Sequence, residues 1–286
     1  MYTGPVNPVI RVRRPAAVLL MIGIVAATVM ASASAVPQRR RGGFGGFGGQ
    51  PRSSDWVYDG AFMYCRGAYQ RNPYGDGGGW LTDYPNADIN LPWRTGQLTT
   101  VQISKDSRGE PNHVTLRLDD PHLFQCPMII MTEPGSAYFD DADAAHLREY
   151  LDKGGFLWVD DFWGEYAWQV WEQQIAKVYP GVPVRDIPLD HPVFHMVYNV
   201  TKVPQIPSID FWFNSGFQTS ERGPDSAMPH IRGIIDERGV LKVVMSHNTD
   251  FGDAYEREGE DRRYFDRFAA EGYAFGVNVI VYAMTH

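Results

Sequence analysis

Cysteine is nearly absent: Cys65 and Cys126 are the only two in 286 residues. Two thiols cannot establish a disulfide framework, and no Cys-x-x-Cys pair is present. Gly-x-Ser-x-Gly and His-Glu-x-x-His are also missing, which removes the common serine-nucleophile and zinc-protease signatures. The glycine-rich stretch Gly75-Asp76-Gly77-Gly78-Gly79 lacks the closing Gly-Lys-Ser/Thr of a phosphate loop. Basic residues are scarce beyond the N-terminus. Seven of the 26 Lys and Arg and none of the 34 Asp and Glu fall in residues 1–54, so residues 55–286 carry −15 against −8 for the whole chain. That balance excludes a nucleic-acid partner bound through clustered phosphate contacts. A 44% hydrophobic and 13% aromatic content excludes global disorder, and the roughly 230 residues after the N-terminal segment suit one large domain.

What is present begins with an address. Arg11, Arg13 and Arg14 precede an uncharged run from Pro15 to Gln38, and Ala33-Ser34-Ala35 supplies small residues at its end. This is the layout of a signal peptide over residues 1–35, cleaved after Ala35. The alternative is an uncleaved anchor over residues 15–36, since about 20 apolar residues span a bilayer. The next stretch, 36–54, combines an Arg cluster with Gly-Gly-Phe repeats and reads as a flexible linker. The expected location is periplasmic or extracellular. The two cysteines would be free to pair there, but the predicted heights of their strands argue against a bridge.

The remaining residues, 56–286, alternate strand and helix patterns. Strands are predicted near Phe62–Tyr69, Val114–Leu118, Pro127–Met131, Phe156–Val159 and Val182–Ile187. A helix is predicted from about Ala87 to Thr99, with Pro92 tolerable only near its first turn. Between Asp140 and Gly154 the apolar residues Ala144, Leu147 and Leu151 mark one helical stripe, with Asp140 as N-cap and Gly154 as the left-handed terminator. Another helix carries Trp168, Trp171, Ile175 and Val178 on one face. Residues 199–229 read as an irregular excursion. Ile231–Asp236 and Val240–His247 flank Glu237-Arg238-Gly239 as a hairpin, and a last helix runs from about Asp261 to Ala283. The pattern predicts an α/β fold: a mostly parallel sheet with helices on both faces, plus a β-hairpin excursion.

Ligands of open α/β sheets sit beyond the carboxyl ends of the strands. Polar clusters fall there: Asp119-Asp120, Glu133, Asp160-Asp161, Asp190-His191 and His247-Asn248-Thr249-Asp250, followed by Asp253. Any single Asp at such a place is accounted for by helix capping or an Asx turn. Two adjacent acids after a buried strand exceed what one cap needs. The ligand-binding residues read from this pattern are Asp160, Asp161, His191, His247, Asn248, Asp250 and Asp253. A mixed carboxylate and imidazole set of this kind can hold Zn²⁺ or Mn²⁺, but no pair has a diagnostic spacing, so no metal ligand is assigned and no cofactor is expected.

Several segments resemble the bacterial family DUF4159, a domain of unknown function. They are Thr82-Asp83-Tyr84-Pro85 with Ala87-Asp88 and Asn90-Leu91, Leu147-Arg148-Glu149-Tyr150-Leu151, Gly154-Gly155-Phe156-Leu157-Trp158-Val159-Asp160-Asp161, Asp190-His191-Pro192-Val193-Phe194, and His247-Asn248-Thr249-Asp250 with Gly252-Asp253. Asn278 and the terminal Tyr282-Ala283-Met284-Thr285-His286 complete the match, which covers roughly residues 56–286. The resemblance implies a flavodoxin-like fold similar to class I glutamine amidotransferases, and no activity. Amidotransferases place a nucleophilic Cys on a sharp strand-to-helix turn. The corresponding turn here reads Asp160-Asp161-Phe162-Trp163-Gly164, without Cys or Ser.

Two functions remain. One is an exported, non-catalytic ligand-binding or assembly module, with an unknown polar ligand or an envelope protein as partner. The other is an extracytoplasmic hydrolase of a polar glycan or cell-wall substrate, with Asp160 and Asp161 as acid and base and His191 as an alternative base. The missing nucleophile favours the module. Membrane contact is expected only through an uncleaved N-terminal segment. Mass spectrometry of the exported protein should find Val36 at its N-terminus; an intact Arg11 region in the membrane fraction would instead establish the anchor.

Overall fold

The computed structural model describes residues 58–286; the expected signal peptide and linker, residues 1–35 and 36–54, lie outside them. Seven strands form one sheet in the order β3-β1-β4-β6-β9-β8-β7. They are β1 (Tyr64–Ala68), β3 (His113–Arg117), β4 (Ile129–Thr132), β6 (Leu157–Phe162), β7 (Arg185–Asp186), β8 (His230–Ile235) and β9 (Leu241–His247). The pairs from β3 to β9 are parallel, and β8 and β7 each add an antiparallel partner. A separate ribbon pairs β2 (Gln70–Arg71) with β5 (Ala137–Tyr138). The fold is therefore a flavodoxin-like α/β arrangement with a hairpin closing one side.

Side-chain alternation along the strands sorts the core into two layers. Tyr64, Ile130, Trp158 and Val244 face α1 (Asn86–Leu98), α5 (Phe251–Glu256) and the C-terminal helix α7 (Ala270–Thr285). Cys65, Ile129, Leu157, Val159 and Met245 face α2 (Asp141–Asp152) and α3 (Gly164–Val178). The central strand β6 is buried along its whole length, as a parallel strand covered on both faces must be. A short α4 (Ile209–Asn214) interrupts the excursion, and a three-residue α6 (Arg262–Tyr264) leads through a π-turn at Phe265–Ala269 into α7. Among the described residues no helix is long and apolar enough to cross a membrane.

Local signals explain most boundaries. Asp140 caps α2 in a reciprocal capping box with Asp143. Gly154, at φ +106°, takes the left-handed turn after it. Pro92 lies past the first turn of α1, deeper than its sequence position predicted. The expected strand at Val182–Ile187 is reduced to two residues, and α5 was not anticipated.

Cys65 and Cys126 are joined, with Cα atoms 6.1 Å apart. The expectation against a bridge is overturned because Cys65 is only the second residue of β1, not late in it, and so lies near the end of the sheet where the turn Pro121–Gln125 delivers Cys126 ahead of β4. The bridge closes a 61-residue separation that encloses α1 and β3. Loop entropy predicts that a Cys65→Ala/Cys126→Ala protein loses about 4 kcal/mol in denaturant unfolding. A loss under ~1 kcal/mol would show that the bridge does little to restrict the unfolded chain.

Candidate functional site

The carboxyl edge of the parallel strands carries a buried acidic cluster. Glu133 follows β4, Asp160 and Asp161 lie at the end of β6, and Asp250 and Asp253 follow β9. Asp83 joins them from the loop before α1. One carboxylate oxygen each of Asp83, Asp161 and Asp250 lie within 4.8 Å of one another, and the same holds for Asp83, Asp253 and Glu256.

The backbone bends to bring them together. β6 does not stop before its two Asp residues, as its sequence predicts, but runs through them with an irregularity. Val159 pairs with Met245 and Phe162 with His247, so three steps on β6 oppose two on β9. That bulge re-aims the strand end. Asp161 sits in it at φ +58°, and Asp83, Glu133 and Asn248 are at +64°, +47° and +61°. Four of the five non-glycine residues with left-handed backbone among the described residues thus surround one site, where such strain tends to concentrate. Gly252 permits the closest approach: a Cβ there would lie 2.0 Å from Asp83 Oδ2.

Hydrogen bonds cover only part of this charge. Gly252 N–H donates to Asp160 Oδ2 at 2.9 Å, Trp163 Nε1 to Asp161 Oδ1 at 3.0 Å, and Asp253 N–H to Asp250 Oδ1 at 2.7 Å. The amide of Ile209 donates to Asp253 Oδ2. Thr82 Oγ1 and the Gly79 amide donate to Glu133 Oε2. Asp83 Oδ2 and Asp160 Oδ1 have no partner, although Asp83 is 6% and Asp160 3% exposed. Burial pushes Asp160 and Asp253 up to about 7. Burial, with neighbouring carboxylates adding repulsion, holds Asp83, Asp161 and Asp250 well above the usual range, and burial also raises Glu133.

The excursion roofs the cluster. Thr249 Oγ1 donates to Pro204 O and receives the Ile206 amide, while the Asp250 amide donates to Ile206 O. Asn248 is a clamp: its Oδ1 accepts from the Gly164 amide and its Nδ2 donates to Met228 O. His247 is also structural. Arg232 Nη1 can only donate, so Nδ1 of His247 accepts and Nε2 donates to Gly164 O. Burial accordingly lowers this imidazole to about 4.

His191 corrects the sequence reading. It caps the 3₁₀ turn Pro192–Phe194, and its ring lies 5.6 Å from that of Tyr282. The Tyr282 hydroxyl accepts from the amide of Leu241, the first residue of β9. Six strand residues, roughly 20 Å at the usual rise, separate that level from His247. His191 therefore belongs to the opposite edge of the sheet, and its pairing with Asp160 or Asp161 as acid and base is not available. The mixed carboxylate–imidazole set is replaced by an all-carboxylate one. Asp119 and Asp120 are local: Asp119 pairs with Arg117, and Asp120 caps Pro121–Gln125. Asp83 and Glu256 were missed as site residues, and the motif Thr82-Asp83-Tyr84-Pro85 was the available signal for Asp83. Trp163 is buried, and its indole donates to Asp161.

The family model described as "Domain of unknown function (DUF4159)" matches residues 69–284, and the chain belongs to this family. A search of curated proteins found no match.

The titrations set a pH dependence of opposing signs. His247, lowered in the fold, favours stability as pH rises through about 4 to 6.5 and contributes no further slope above that. The acids are raised in the fold, so the native state binds the extra protons and stability falls as pH rises from about 4 through 7. Above pH 6.5 only the acids of this set still act. In chelator, the melting temperature should fall between pH 6.5 and 8, and Asp160→Asn should lessen the fall. A flat profile would mean that these carboxylates are already ionised and compensated in the fold.

Proposed function

We propose that this domain is an exported, non-catalytic binding module whose ligand is a cation received by the acidic cluster at the carboxyl edge of the sheet. The observation that carries this reading is the pair of buried, unpartnered oxygens, Asp83 Oδ2 and Asp160 Oδ1, among carboxylates that crowd one another. Buried acceptors normally have partners, and buried charges are normally paired. A bound cation would answer both deficits. The end of β6 supports binding over catalysis, since it presents Asp160 and Asp161 where an amidotransferase-like scaffold would hold its nucleophile. Both cysteines are spent in the bridge. The hydrolase alternative loses only its alternative base with His191, and keeps Asp160 and Asp161 as its carboxylate pair. Export is supported by the signal-like N-terminus and by a disulfide, which persists in oxidising compartments.

The test is a thermal melt at pH 8 after chelation and dialysis, repeated with CaCl₂, MgCl₂, MnCl₂ or spermidine. A cation at a hundred times its Kd adds about 2.7 kcal/mol, roughly 5–10 °C for a domain of this size. At least one of the four should produce such a saturable rise, and Asp161→Asn should reduce it. Absence of any rise with all four overturns the reading.

A further inference from the structure

Resting on that reading, we infer that the cation is a single hard divalent metal ion, of the calcium, magnesium and manganese class, held by Asp83, Asp161 and Asp250. Size is the first argument. Three oxygens no more than 4.8 Å apart leave a point within about 2.8 Å of all three, and modest side-chain rotation reaches the 2.3–2.6 Å of calcium or the shorter bonds of magnesium. Burial is the second. All three residues are nearly inaccessible, which suits a monatomic ion better than an ammonium group carrying an organic chain. Donor chemistry is the third: oxygen-only ligands select hard cations over zinc or copper.

The free atoms agree with this assignment. The hydrogen bonds received by the side chains of Asp161 and Asp250 fall on Oδ1, leaving Oδ2 of each to coordinate. Asp83 adds an Oδ2 that is buried and without a partner. Asp160, also with an orphaned oxygen, stands beside them and adds negative potential. The neighbouring trio of Asp83, Asp253 and Glu256 is the weaker site because a cation of the chain already serves it. Arg257 Nε lies 3.0 Å from Glu256 and 3.6 Å from Asp253.

Asp161→Asn is the cleanest variant, because Asn tolerates the left-handed backbone that this position requires. Full-length chain, stripped with chelator and dialysed, is titrated calorimetrically with CaCl₂ and MnCl₂, and bound metal is counted by mass spectrometry. Circular dichroism establishes that each variant is folded. The expected result is one ion per chain, at least tenfold weaker in Asp161→Asn and in Asp250→Asn, and within about threefold of wild type in Glu256→Gln. Undiminished binding in folded Asp161→Asn, or a tenfold loss in Glu256→Gln, overturns the assignment of ligands. Stabilisation by spermidine with no binding of either metal overturns the metal while leaving a cation-binding module standing. Silence from all of these probes removes the module itself.

Discussion

Arg66 and Asp88 form an ion pair with no exposure on either side chain, and the arrangement of the carboxyl edge depends on it. Arg66 rises from β1 and engages Asp88 of α1 through Nε and Nη2. Its Nη1 donates to the carbonyls of Trp80 and Thr82 and to Thr132 Oγ1. One guanidinium thereby fastens a strand, a helix, the end of a second strand and the loop that delivers Asp83. Taking two charges out of water costs several kcal/mol each, so such a pair persists only when its remaining donors are satisfied, as they are here. Its contribution is placement: the residue after Thr82 has little freedom to be elsewhere.

From that fixed loop the charge distribution follows. Asp83 stands over the glycine at the start of α5, and the acids at the ends of β6 and β9 converge on it from the other side. The carboxylates crowd because the strand ends crowd. Parallel strands about 4.8 Å apart that all terminate in acids cannot separate them without a change of backbone. The left-handed residues at Asp83, Glu133, Asp161 and Asn248 work in the opposite sense, turning each chain segment back over the edge instead of away from it.

Much of the architecture was legible in the sequence. The run Phe156–Val159, apolar without alternation, marked a strand covered on both faces, and the stripe between Asp140 and Gly154 marked a capped helix. The acids after β6 and β9 were identified because buried strands pointed to them. Asp83 escaped because no strand leads into it; its place depends on Arg66, a pairing across 22 residues that periodicity does not encode. His191 was misplaced for a related reason. A two-residue strand cannot signal its own end, and the chain after Asp186 doubles back toward the start of β9. The cysteine pair was misread through strand register, which depends on where β1 begins rather than on which residues it contains.

The roof formed by residues 204–228 has a consequence for time as well as for shape. Its hydrogen bonds from Pro204, Ile206 and Met228 are made to Asn248, Thr249 and Asp250, the same short segment that supplies one wall of the cluster. Those bonds tie the roof to the segment that borders the buried carboxylates of Asp160, Asp161 and Asp250. For the cation proposed above, exchange would then follow local opening of this segment, on the slower scale of loop and sub-global motions. Such an occupant would outlast its supply, and the site would then record past exposure more than gauge the present.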